Sequence, residues 1–160
     1  MIANVDVQIA AVEESIPNSD DIAIWVSRSV QAVGYTGEAE ISVRIVTATE
    51  MQQLNSEFRE QDKSTNVLSF PAGEIEGLPS DAEMPLGDIV VCAAVVREEA
   101  DDQGKRAADH WAHMMVHGTL HLLGFDHIDD PDAAEMERLE IRILMAHGIA
   151  NPYGESPQEN

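Results

Sequence analysis

Three histidines within eleven residues constrain this chain more than any other feature. They lie in the segment His117-Gly-Thr-Leu-His-Leu-Leu-Gly-Phe-Asp-His127. If the segment begins as a helix, His117 and His121 are four residues apart and share one face. Gly124 can then take a positive φ and end the helix, so that the chain turns and brings His127 to the same point. The spacing therefore predicts a three-histidine metal site.

The ligand set indicates what kind of metal site this is. Catalytic zinc keeps three protein ligands and a fourth position for water, whereas structural zinc is usually closed by four ligands that often include cysteine. The chain has one cysteine, Cys92, which excludes a cysteine-rich structural site. We therefore expect an open, hydrolytic site with one Zn²⁺ per chain, although three imidazoles also accept nickel, cobalt or copper.

Position 118 separates this segment from the zinc proteases. The spacing of the histidines and the glycine in this segment matches the long protease pattern H-E-x-x-H-x-x-G-x-x-H, in which the glutamate is the general base. Here the residue after His117 is Gly118. A zinc peptidase or amidase therefore stays open only as an alternative that takes its base from elsewhere in the chain.

The same segment resembles the signature of the YbeY-type rRNA maturation factors, a family of metal-dependent endoribonucleases specific for single strands. The family usually carries tyrosine where Phe125 stands. The resemblance covers roughly positions 40 to 153, and upstream it runs through Leu54-Asn55, Arg59, Thr65-Asn-Val-Leu-Ser-Phe-Pro71 and Gly87-Asp88-Ile89.

The resemblance implies a zinc-dependent endoribonuclease that cleaves single-stranded RNA and takes part in ribosomal RNA maturation and ribosome quality control. It implies that His117, His121 and His127 hold Zn²⁺, and that His117 and Arg59 are catalytic. Whether water or the ribose 2′-hydroxyl is the nucleophile stays open. Substrate contacts are expected from the segment before and within the third strand, at Lys63, Thr65, Asn66 and Ser69.

Arg59 and Asp88 each have two interpretations from the residues alone, and an acidic run after the histidines has one. At the end of a predicted helix, Arg59 is either a solvated cation favourable to the dipole or a planar donor fork for a phosphate, and the resemblance favours the fork. Asp88 either caps a turn or orients a ligand imidazole. The acidic run from Asp126 to Glu140 is interpreted as a solvated helix start without a catalytic role.

The charge of the chain argues against broad affinity for RNA. Its net charge is −21 with nine basic residues, whereas phosphate contacts depend on Lys and Arg. A non-enzymatic ribosome-assembly protein, which binds a basic ribosomal protein and uses zinc only to stabilise its fold, therefore remains an alternative. Five basic residues in the middle of the chain predict at most a small positive cleft: Arg59, Lys63, Arg97, Lys105 and Arg106.

Hydrophobic periodicity predicts an α+β fold in one domain over residues 1–160, with a polar tail from about 149. About four strands are expected, with helices mainly on one face, and the resemblance implies a mixed, mostly parallel sheet. Thr49 is expected to open the second helix. The predicted strands are Val5–Ala11, Ile41–Val46, Asn66–Phe70 and Gly87–Cys92; the predicted helices are 18–33, 50–59, 93–102, 106–123 and a last one that begins just after Pro131 and runs to about 147.

The remaining sequence features predict where the protein works. The N-terminus has no basic region followed by an apolar run, and no stretch approaches the roughly 20 apolar residues of a membrane helix. One cysteine suits a reducing compartment. We expect a soluble cytoplasmic protein, and the resemblance implies single-stranded RNA, in the form of an rRNA precursor, and a ribosomal subunit or ribosomal protein as its partners. The oligomeric state stays open.

Overall fold

The computed structural model describes residues 4–11, 16–34, 40–71, 87–125, 130–149 and 151–152. Within these ranges the chain forms four strands and five helices, as the hydrophobic periodicity predicts. The strands are β1 (Asn4–Ile9), β2 (Glu40–Val46), β3 (Val67–Pro71) and β4 (Gly87–Cys92). The helices are α1 (Ser19–Ala32), α2 (Ala48–Arg59), α3 (Ala93–Gln103), α4 (Ala107–Leu122) and α5 (Asp130–Met145).

The four strands form one mixed sheet in the order β1-β2-β4-β3. β1 runs parallel to β2 and β2 parallel to β4, whereas β3 runs antiparallel to β4. The predicted α+β fold with a mixed, mostly parallel sheet is therefore confirmed. Because β3 is last in this order, one of its edges is left to line a cleft.

Helices cover the two faces of the sheet unequally. Alternate residues of β2, such as Ile41 and Val43, point toward α1 and α4 and join a core that also contains Val26 and Trp111. The opposite face packs a smaller cluster around Met51 of α2. α4 is the central helix, because α5 packs against the side of α4 that faces away from the sheet.

The ends of α2 fix the position of Arg59. The helix begins two residues earlier than the predicted Glu50, because Thr47 rather than Thr49 is the N-cap and accepts a hydrogen bond from the Glu50 backbone at 3.2 Å. It ends at Arg59, as predicted, and Glu60 takes a left-handed conformation with φ of 59°. Among the described helices, none is long and apolar enough to cross a membrane.

Candidate metal site

Two of the three predicted ligands lie together on α4. His117 and His121 are one helical turn apart, and their ring centroids are 5.0 Å apart. Both line a cleft of about 340 Å³ between α4 and the outer edge of β3. The predicted placement of this pair on one helix face is therefore found in the structure.

The end of α4 has the predicted glycine turn. Helix α4 stops at Leu122, and Gly124 follows with φ of 103°, a conformation that favours glycine. The Phe125 backbone N–H donates to Leu120 O at 3.0 Å, which closes the helix end. His127 lies outside the described residues, so its part as third ligand stays a prediction.

Gly118 is the point where α4 comes closest to the sheet. A Cβ at this position would lie 3.0 Å from Ile89 Cγ2 and 3.1 Å from Val67 Cγ2. The Gly118 carbonyl also accepts a hydrogen bond from Ser69 Oγ at 2.8 Å. The space that a protease glutamate would need is thus filled by the sheet, which gives a packing reason for glycine at this position.

A buried carboxylate stands behind the histidines. Glu140 of α5 has no exposed surface, and its two oxygens contact two imidazoles: Oε2 lies 2.5 Å from His117 Nδ1 and Oε1 lies 3.2 Å from His113 Nε2. Burial alone would raise the pKa of Glu140, but the hydrogen bonds from His113 and His117 outweigh it and lower the pKa to about 2. The interpretation of the acidic run as wholly solvated is therefore wrong at Glu140.

His113, His117 and Glu140 are also close enough to be considered as ion ligands themselves. One donor atom from each lies within 4.8 Å of the others. Two ligand atoms of a tetrahedral zinc, however, are roughly 3.3 Å apart, given bonds of about 2.0–2.2 Å. The 2.5 Å contact between Glu140 Oε2 and His117 Nδ1 is too short for that and is a hydrogen bond. In this arrangement Glu140 contacts Nδ1 of His117, and Nε2 is the second ring nitrogen of that side chain.

A second carboxylate holds the start of β3. Asn66 Nδ2 lies 3.2 Å from both carboxylate oxygens of Glu99, and Asn66 Oδ1 accepts the Val67 backbone N–H at 2.7 Å. Glu99 Oε1 also lies 2.9 Å from His110 Nε2, and burial lowers the pKa of His110 despite this contact. Asn66 lines the cleft, but its side chain is engaged in fixing the strand.

Arg59 reaches the cleft in a fixed orientation. Its NH2 group donates to Ser69 O at 2.8 Å and its NH1 group to Phe58 O at 3.2 Å. The guanidinium carbon lies 4.7 Å from the ring centroid of Phe70, a distance at which cation and ring attract. The side chain is therefore held by backbone carbonyls and by the face of an aromatic ring.

The other predicted basic residues do not build a positive cleft. Of the described residues that line the cleft, Arg59 is the only Lys or Arg, and Lys63 is exposed outside the lining. Arg97 pairs with Asp101 at 3.6 Å. Lys105 and Arg106 lie at the opposite end of α4 from His121, about 24 Å away along a 16-residue helix. Four of the five basic residues therefore lie outside the described lining of the cleft, so the small positive cleft that the sequence allows rests on Arg59 there.

Asp88 belongs to the opposite face of the sheet. It lines a groove with Ser42 and Phe58, on the side covered by α2. Burial raises the pKa of Asp88, and a hydrogen bond with Ser42 partly offsets this effect. The interpretation of Asp88 as a group that orients a ligand imidazole is therefore wrong, and the carboxylate that contacts His117 is Glu140.

Fold and site together define an α+β protein with a histidine-rich candidate metal site on its central helix. The chain belongs to the endoribonuclease YbeY family, whose model matches residues 7–148. Among its relatives named endoribonuclease YbeY, that of Halorhodospira halophila is 51% identical, with 88% of this chain and 90% of the relative covered. The Alcanivorax borkumensis relative is 48% identical with 98% and 89% covered, and that of Cellvibrio japonicus is 47% identical with 95% and 84% covered.

Solved structures show the same fold. A solution structure of a Thermotoga maritima protein matches with a TM-score of 0.58 and 24% identity, over 98% of this chain and 99% of that protein. At this identity the likeness concerns the fold alone. Family membership confirms the resemblance inferred from the histidine segment and the expected class of enzyme, an endoribonuclease, which is a hydrolase of RNA phosphodiester bonds.

Proposed function

We propose that this chain is a zinc-dependent endoribonuclease that cleaves single-stranded RNA and acts in ribosomal RNA maturation and ribosome quality control. The observation that carries the proposal is that His117 and His121 open onto the same cleft as Arg59. The protein works in the cytoplasm, with precursor rRNA as substrate and a ribosomal subunit or ribosomal protein as partner. Family membership supports this reading through the activity in the relatives' names.

His117 and His121 fit a zinc ion, with His127 as the third ligand. The contact between Glu140 and His117 Nδ1 supports this fit, because it leaves Nε2 of His117 as the ligand atom. Three imidazoles leave a fourth position, as a hydrolytic site requires. When bound, zinc would supply a Lewis acid that can polarise a phosphoryl oxygen and lower the pKa of a bound water, and the nucleophile can be that water or the ribose 2′-hydroxyl.

Arg59 binds the scissile phosphate and offsets the charge that develops on it during cleavage. The planar guanidinium group of Arg59 matches the geometry of a phosphate. Because Ser69 O and the ring of Phe70 already hold this group, RNA binding costs it little conformational entropy. Arginine stays protonated and therefore is not the base. Thr65 and the backbone of β3 line the strand side of the cleft and contact the RNA there. Lys63, exposed beside this segment, binds a neighbouring phosphate.

One set of variants tests the proposal. We expect wild-type protein to bind about one zinc per chain and to cut single-stranded RNA in preference to duplex RNA. His121→Ala loses zinc and cleavage, whereas Arg59→Gln keeps zinc and loses roughly 100- to 1000-fold in cleavage rate. Arg106→Gln removes the same charge at the far end of α4 and is the matched control, with cleavage at the wild-type rate.

Each alternative gives a different result in the same assays. If all variants cleave RNA at the same rate, the cleavage comes from a contaminating nuclease. If the Arg59→Gln variant then also supports normal ribosome maturation, the result favours the assembly protein with stabilising zinc. Cleavage of peptides that is lost in His121→Ala, with RNA left intact, would favour the peptidase. Elemental analysis of bound metal distinguishes zinc from nickel, cobalt and copper.

A further inference from the structure

Glu140 is a charged side chain that is fully buried, and charged side chains are rarely fully buried unless they are paired. It lies in the interior between α4 and α5 with no exposed surface, beside apolar neighbours of α5 such as Met136, Ile143 and Leu144. A buried carboxylate is tolerated when its oxygens are hydrogen bonded. Both oxygens of Glu140 contact ring nitrogens, one in His113 and one in His117.

The contact with His117 selects one form of its ring. An ionised carboxylate is only an acceptor, so His117 Nδ1 must carry the proton in the 2.5 Å hydrogen bond. The lone pair of His117 is then on Nε2. His117 is 23% exposed in its side chain and lines the cleft, whereas Glu140 lies behind it. The ring is therefore held with its Nδ1 proton toward the core, and the side chain lines the cleft.

His113 fixes the carboxylate from the other side. Its Nε2 lies 3.2 Å from Glu140 Oε1, and its ring is one turn before His117 on the same helix, with centroids 6.2 Å apart. With both oxygens engaged, rotation of the carboxylate about its last bond would break two contacts. His113 is 8% exposed and belongs to the support of the site rather than to the cleft.

We propose that Glu140 is the positioning residue of the metal site: by holding His117 through Nδ1, with His113 as its second anchor, it presents His117 Nε2 to the zinc ion. This inference rests on the assignment of His117 as a zinc ligand in the proposed function. Partners of this kind fix ligand orientation and raise ligand basicity, and their loss typically weakens metal affinity. Helix α5 therefore takes part in the site although it contributes no ligand among its described residues.

The test compares two glutamates of α5. Glu140→Gln is nearly isosteric but removes the charge, whereas Glu137→Gln makes the same change at an exposed position of the same helix. We expect the zinc Kd, measured by chelator competition, to rise roughly 10- to 100-fold in Glu140→Gln and to stay at the wild-type value in Glu137→Gln. A folded Glu140→Gln protein with wild-type zinc affinity would overturn the proposal.

A second measurement uses the wild-type protein and decides the question even if Glu140→Gln fails to fold. NMR of isotope-labelled histidine in the zinc-loaded protein should show His117 bound to zinc through Nε2 with a proton on Nδ1. Binding through Nδ1 would overturn the proposal. Neither measurement uses RNA. Zinc held in this way by a protein that cuts no RNA would refute the proposed function and leave the role of Glu140 intact.

Discussion

At the scale of single residues, the imidazoles of α4 differ through their partners rather than their type. His110, His113, His117 and His121 follow one another at three- or four-residue spacing along one stripe of the helix. The first of these pairs with a carboxylate from α3, and the next two share a carboxylate from α5. The last two line the cleft. Position along the helix therefore separates supporting histidines from candidate ligands.

His110 should make stability depend on pH. An unfolded histidine has a pKa of about 6.5, and burial lowers the pKa of folded His110 below that value. As the pH falls through about 6.5, the unfolded state takes up the proton first, so the free energy of unfolding decreases until the pH reaches the folded pKa. We expect metal-free protein to lose stability between about pH 7.5 and pH 5.5 in part through this residue.

Denaturant unfolding of wild type and His110→Gln at several pH values measures this contribution. Glutamine does not titrate, so the variant should lose less stability than wild type over the same interval, even if it is less stable at the upper end. Parallel pH curves for the two proteins would contradict the prediction. The readout is the difference between two slopes, so a constant loss from repacking does not affect it.

At the scale of secondary structure elements, α4 is fixed by packing on two opposite sides. The sheet side includes Trp111 and Met115, and the α5 side includes Val116 and Leu120. The strong apolar periodicity of the strands and helices is the reason that the sequence predicts each of the nine described elements. Cap positions were less predictable, because Thr47 and Thr49 are equally suited to capping and only the observed helix start shows which one acts.

The junction of β3 and β4 should tolerate no side chain at Gly87. This residue opens β4 opposite Pro71, with φ of 146°, and a Cβ would lie 2.3 Å from the carbonyl oxygen of Phe70. A backbone atom cannot move aside as a flexible side chain can. We therefore expect Gly87→Ala to cost at least roughly 3 kcal/mol in the free energy of unfolding, near the upper end for single substitutions.

Gly34→Ala is the control for the conformational part of that cost. Gly34 also has a positive φ, 76°, but none of the described atoms lies within 4 Å of a Cβ there. Its substitution should cost about 1–2 kcal/mol, the penalty of a left-handed alanine. Equal losses in chemical denaturation of the two variants would show that the close contact at Gly87 relaxes at little cost.

At the scale of the whole molecule, a strongly acidic chain presents one arginine to its cleft. The net charge is −21, and Arg59 is the only Lys or Arg among the described residues lining the cleft. Binding of single-stranded RNA should therefore neutralise about one or two phosphates. The logarithm of the association constant should then fall with the logarithm of salt concentration at a slope of only about −0.7 to −1.4.

Fluorescence anisotropy with labelled single-stranded RNA and metal-free protein measures this slope without cleavage. Arg59→Gln should lower the affinity and make the slope shallower by about 0.7, whereas Arg106→Gln should leave both unchanged. A wild-type slope of about −4 or steeper would mean that roughly six phosphates are contacted, and that the RNA follows a basic path other than this cleft.

The sequence by itself determined the order and type of the elements, the histidine pair on one helix face and the glycine turn that ends that helix. These features depend on local periodicity and on the conformational preferences of single residues, which do not require contacts with distant parts of the chain. It also placed Arg59 at a helix end, next to the segment that becomes β3.

Only the tertiary structure decided which charged groups meet. Glu140 follows His117 by 23 residues and Glu99 precedes His110 by 11, and nothing in these spacings distinguishes them from exposed acids such as Glu137. The sequence allowed Asp88 and the basic residues near α4 to belong to the site. In the structure, strand alternation places Asp88 on the opposite face of the sheet, and the length of α4 places Lys105 and Arg106 far from His121. Contacts between elements depend on packing, because burial and partner geometry exist only once helices and sheet are assembled.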